Sequence, residues 1–83
     1  MESYRLKVDR AVMRLIRMFE DPALATSLQA AINRLSSAPR PSEAVQVPGI
    51  PDLYLLPTSH HRVLYWIDES AKLIHVYSAH PSV

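Results

Sequence analysis

The sequence predicts an α+β fold: an N-terminal strand and a two-helix hairpin packed on a mainly antiparallel four-stranded sheet. Three observations carry this expectation. Ser3-Tyr4-Arg5-Leu6-Lys7-Val8 alternates apolar and polar side chains, the two-residue repeat of a half-buried strand. Val12, Leu15, Ile16 and Phe19, and then Leu24, Leu28, Ala31, Ile32 and Leu35, recur at helical spacing and form two apolar stripes. His60–Asp68 and Lys72–Ser78 are strand-like runs joined by Glu69-Ser70-Ala71, a link short enough to fold one back on the other. The order strand, two helices, three strands places the helices together on one side of the sheet.

Each element has its own signals. Tyr4, Leu6 and Val8 share one side of the first strand, and Arg5 and Lys7 share the other. Asp9 is the expected cap of the first helix, whose Arg10, Arg14 and Arg17 fall opposite the apolar stripe. That basic face suits either a solvated helix back or a contact with nucleic acid. Asp21-Pro22 starts the second helix, because aspartate caps free amides and proline at the first helical position loses no hydrogen bond. Ser36-Ser37-Ala38-Pro39 ends it. From Ser36 to Asp52 the chain carries Pro39, Pro41, Pro48, Pro51 and its only glycine, Gly49, which predicts an irregular connection that Val45 and Val47 pin to the core. Leu53-Tyr54-Leu55-Leu56 follows as a short buried strand.

Composition excludes several classes of function. Residues 1–83 are the size of a single domain, and 48% apolar with 20% charged residues describes a chain that folds. No cysteine is present, so disulfide, thiolate and cysteine-zinc chemistry are all absent, and a reducing cytoplasm is the expected location. No apolar run reaches the roughly 20 residues of a membrane span, and the start leads into no signal-peptide core, so no membrane partner is expected. The net charge of +1 gives little general attraction for nucleic acid, and local clusters would have to supply it. One glycine and no phosphate loop exclude a nucleotide site, and the histidines lack the carboxylate pattern of a metal site. No cofactor is expected.

The reactive side chains gather on the last two strands. A connection from Asp68 to Ala71 places Ile67 opposite Lys72, Val63 opposite Val76 and Arg62 opposite Tyr77. Val63, Tyr65, Ile67, Ile74 and Val76 then face the helices, while Arg62, Leu64, Trp66, Leu73, His75 and Tyr77 share the open side. His60 continues that side past the strand start, and His80 reaches the same edge from the end of the last strand. Such a group suits RNA cleavage by the 2′-hydroxyl, which needs a base, an acid and a cation for the charge on phosphorus. Arg62, His60, Tyr77 and His80 are the catalytic candidates, with His61, Trp66, His75, Arg10, Arg14 and Arg17 as RNA contacts. Trp66 and Tyr77 equally suit packing, or an aromatic patch covered by a partner protein.

On these residues the whole chain resembles the RelE/ParE superfamily of bacterial type II toxin-antitoxin toxins. The resemblance runs from Tyr4-Arg5-Leu6-Lys7-Val8, through Ile32-Asn33-Arg34-Leu35-Ser36-Ser37-Ala38-Pro39, to Arg62-Val63-Leu64-Tyr65-Trp66-Ile67-Asp68 and Ile74-His75-Val76-Tyr77-Ser78-Ala79-His80. It implies a compact microbial RNase-like fold and a cognate antitoxin that wraps the toxin. In the RelE branch it also implies a metal-independent, ribosome-dependent endoribonuclease that cuts messenger RNA in the ribosomal A site and inhibits translation. Arg62 matches that branch's transition-state arginine, and His80 or Tyr77 lies near the family's C-terminal catalytic residue. The chain departs from the pattern at Leu55 and Leu56, where active relatives are basic, and at Pro81, where an arginine is common. The ParE branch, associated with poisoning DNA gyrase by protein contact, and a toxin-like binding module without toxicity are the alternatives.

Overall fold

The computed structural model describes residues 3–82. Strand β1 (Arg5–Val8) leads into helix α1 (Arg10–Met18) and helix α2 (Pro22–Arg34), followed by β2 (Val45–Gln46), β3 (Leu53–Pro57), β4 (His61–Asp68) and β5 (Leu73–Pro81). The strands form one sheet in the order β1-β5-β4-β3-β2, antiparallel except for the parallel pair β1 and β5. The expected four strands are therefore five. Val45 and Gln46 pair with Leu55 and Tyr54, and Val45 stays 59% exposed, so it is held by the ladder and does not reach the core. Ala44 packs against the core in its place.

Local chemistry sets the helix ends. Asp9 Oδ1 accepts the Ala11 amide at 2.9 Å, and Asp21 Oδ1 accepts the Ala23 amide at 2.9 Å, so each helix begins where its aspartate satisfies a free amide. Both helices cover the same face of the sheet. Val12 of α1 and Leu28 and Ile32 of α2, with Leu35 just after it, meet Leu56, Val63, Tyr65, Ile67, Ile74 and Val76, all nearly inaccessible. Each such aliphatic side chain contributes about 1.5–3 kcal/mol by burial. Leu15, Ile16 and Phe19 pack at the margin of this core, so only Val12 of the α1 stripe is fully buried.

The proline-rich connection is tied down by polar contacts. The buried Tyr65 hydroxyl donates to the Pro39 carbonyl at 2.7 Å, and burial pushes this phenol up to about 12. Arg40 Nη1 lies 2.8 Å from Glu69 Oε1 and its Nε donates to the Tyr54 hydroxyl at 3.1 Å. Glu69 also accepts from the Tyr4 hydroxyl at 2.9 Å and from Lys72 Nζ at 3.1 Å. Three separate segments thus meet at one carboxylate. Its hydrogen bond from Arg40, then those from Tyr4 and Lys72, hold Glu69 down at about 2, against an ordinary 4.5. A depressed carboxylate contributes stability above its unfolded value and loses it as pH falls. In thermal melts, Glu69→Gln is expected to flatten the wild-type loss of stability between pH 4.5 and 2. Parallel pH curves would show that the network adds nothing.

Candidate functional site

The turn between β4 and β5 decides which residues meet. Asp68 Oδ1 accepts the Ala71 amide at 3.1 Å and the Ser70 hydroxyl at 2.8 Å, and Lys72 adopts a left-handed φ of 51°. The turn therefore spans Glu69 to Lys72, one residue later than the sequence suggested, and Ile67 faces Ile74 instead of Lys72. A slip of two residues preserves side-chain parity, so the core face and the open face keep their expected members around the turn. Further along, Tyr65 pairs with Val76 but Leu64 pairs with Ser78, which leaves Tyr77 as one extra residue in β5. This β-bulge inverts the parity beyond it. Val63 then faces Ala79 instead of the expected Val76, and Arg62 faces His80 instead of the expected Tyr77.

Without the bulge, His80 would share the covered face with Ile74 and Val76. With it, His80 lies directly across the ladder from Arg62, where side-chain origins are about 4.5–5.5 Å apart. Both residues are exposed. His60, also exposed, precedes β4 by one residue with Nδ1 3.1 Å from the Ser59 hydroxyl, and its carbonyl accepts the Ser82 amide at 2.9 Å. The strand start is clamped by Thr58, whose amide and hydroxyl both donate to the His61 carbonyl, at 2.7 and 2.8 Å. One corner of the sheet's open face thus presents a guanidinium opposite one imidazole, with a second, exposed imidazole two residues before the guanidinium in the chain.

Toward the middle of that face, the His75 and Tyr77 rings lie 4.0 Å apart between centroids, with Tyr77 38% exposed. Trp66 pairs with His75, and Leu53, Leu55, Leu64 and Leu73 complete a half-exposed apolar surface. His61 does not belong to this array. Strand alternation turns it to the covered side, 8% exposed, with its ring 5.1 Å from that of Phe19, where it joins the end of α1 to β4. An RNA contact by His61 is therefore corrected to a packing role, because adjacent His60 and His61 point to opposite faces. Arg10, Arg14 and Arg17 line a separate hollow of about 570 Å³ with Lys7, Val8, Asp9, Met13 and His75. Lys7, missing from the sequence-level candidates, enters because β1 places it beside His75 on the open face. The parallel pairing of β1 with β5 was the signal needed to find it.

Among the described residues no group of three or more His, Asp or Glu is arranged to hold a metal ion, and no helix is long and apolar enough to cross a membrane. No protein-family model matches the chain, and comparison with curated proteins finds no match. Solved structures do match. The isolated RelE toxin of E. coli superimposes with a TM-score of 0.80 at 19% identity, over 98% of this chain and 86% of that one. A chain of the archaeal RelE-RelB complex of Pyrococcus horikoshii OT3 gives 0.79 at 23% identity, over 95% and 94%. A chain of the RelBE2 toxin-antitoxin complex of Mycobacterium tuberculosis gives 0.78 at 13% identity, over 96% and 99%.

The chain has the RelE toxin fold. On that RelE fold, the departures noted in the sequence separate by side. Leu56 is a core residue, 4% exposed and paired with Val63, so a cation there would be buried among aliphatic groups. Leu55 does face outward, opposite Leu64, and Pro57 sits opposite Arg62. The open face of this RelE-fold chain therefore combines one basic, imidazole-bearing corner with an apolar centre. Pro81 pairs with His61 at the far end of the ladder, where it ends β5.

Proposed function

We propose that this chain is the toxin of a type II toxin-antitoxin pair and cleaves messenger RNA on the ribosome as a metal-independent endoribonuclease. The observation that carries the reading is the direct pairing of Arg62 with His80 on the uncovered face, with His60 adjoining. His80 removes the proton from the RNA 2′-hydroxyl, whose oxygen bonds to phosphorus as the bond from phosphorus to the 5′-oxygen breaks. His60 protonates that leaving oxygen, and the Arg62 fork stabilises the charge gathered on phosphorus. The product ends are a 2′,3′-cyclic phosphate and a 5′-hydroxyl. Tyr77 and Trp66 supply ring surface on which an unpaired base can stack.

Likeness to toxins solved with RelB antitoxins supports a cognate antitoxin as the partner. The deciding experiment is induced expression with transcript mapping. The reading expects growth arrest with messages cut only in ribosome-bound form; arrest with intact messages would overturn the nuclease. A second reading is favoured by the apolar centre formed by Leu53, Leu55, Leu64, Trp66 and Leu73, which suits a protein surface better than a phosphate chain. In that case the target is DNA gyrase, and purified protein inhibits supercoiling while messages stay whole. A chain that arrests nothing and binds only its antitoxin is the remaining outcome.

A further inference from the structure

The hollow between α1 and the edge of the sheet is a basic track separate from the Arg62 corner. Lys7 projects from β1, Arg10, Arg14 and Arg17 from one side of α1, and His75 from β5. Among the described residues, none of these cations makes a hydrogen bond or ion pair with an acidic side chain, whereas Arg34, Arg40 and Lys72 all do. The only carboxylate in the lining is Asp9, whose Oδ1 is engaged by the Ala11 amide. In a chain of net charge +1, four cations thus share one wall with a single carboxylate, and among the described lining residues none of the four is paired with it. Arg10 to Arg17 covers about 10 Å of helix axis at 1.5 Å per residue.

The track is continuous with the candidate active corner. His75 belongs to both surfaces, since it lines the hollow and its ring lies 4.0 Å from that of Tyr77, tilted by 31°. From His75 to His80 the strand runs roughly 17 Å along the open face. A run of guanidiniums without ion-pair partners among the described residues, leading onto the adjacent His75 and Tyr77 rings, matches a single-stranded polynucleotide, with phosphates on the cations and bases on the rings. An acidic peptide would use the charges but not the ring platform.

We infer that the hollow formed by Lys7, Arg10, Arg14, Arg17 and His75 binds the sugar-phosphate backbone of single-stranded RNA and guides it to the Arg62–His80 corner. The inference rests on the reading of the chain as an RNA-acting toxin and assigns the track to binding, not to chemistry.

The test is the salt dependence of binding by the full chain to a short labelled 2′-O-methyl RNA, which cannot be cleaved. Four phosphate contacts on a single strand give a slope of about −2.8 in log K against log salt. Affinity should therefore fall about 50-fold between 50 and 200 mM salt. Arg14→Gln with Arg17→Gln should halve the slope, so that the same change costs only about sevenfold. Thermal melting, unchanged because both side chains are exposed, confirms the fold of the variant. Equal slopes for the two proteins would overturn the inference, as would a glutamate-rich peptide that displaces the RNA at matched charge concentration. Cleavage is scored separately on ribosomes: intact messages with the expected slopes reject the nuclease and leave the track standing.

Discussion

Arg62→Ala is expected to slow cleavage of ribosome-bound messenger RNA by about 10²–10³-fold, the usual effect of removing one preorganised charge from a transition state. The melting temperature should barely move, because the side chain is exposed and makes no ion pair with any described residue. Arg62→Lys should recover only part of the rate, since an ammonium keeps the charge but loses the planar fork that spans two phosphate oxygens. Single-turnover cleavage on programmed ribosomes, with a thermal melt of each variant, measures both quantities. An unaltered rate in the alanine variant would remove Arg62 from the chemistry.

The second large effect concerns the imidazole across the ladder. His80→Ala is expected to lower the rate by about 10²–10⁴-fold, the range for loss of a positioned proton-transfer group. The pH profile distinguishes a chemical role from a structural one. If His80 is the base and His60 the acid, the wild-type profile is bell-shaped, because one group must be unprotonated and the other protonated. His80→Ala should remove the acidic limb and His60→Ala the alkaline limb. A profile that keeps both limbs in the His80 variant, only scaled down, would assign the loss to disturbed packing at the strand end.

The parts of the fold that repeat along the chain were legible in the sequence. Helical spacing marked both stripes, Asp9 and Asp21 marked the caps, and alternation in β4 sorted Val63, Tyr65 and Ile67 from Arg62, Leu64 and Trp66. Even the misplaced turn did no harm to the faces, because the slip was of two residues. Features set by long-range pairing left no such mark. Val45 and Gln46 form a strand only because β3 offers them an edge between proline-bearing turns. Tyr77 and Ser78 look like ordinary strand residues, and nothing in their identity announces that one of them has no partner. His61 stood among the RNA contacts although strand alternation turns adjacent imidazoles apart, and only the position of Phe19, set by the helix packing, shows which of the two is covered.

The unpaired position at Tyr77 has a consequence for comparing this chain with others of its shape. It acts as a frameshift within a strand, exchanging inside for outside from Ser78 onward while the strand continues in the same ladder. Two such proteins aligned letter by letter, only one of which has the extra residue, would match side chains that stand on opposite surfaces. The counterpart of His80 in a chain lacking the insertion occupies a neighbouring column, and a search for the proton donor or acceptor has to count rungs instead of letters.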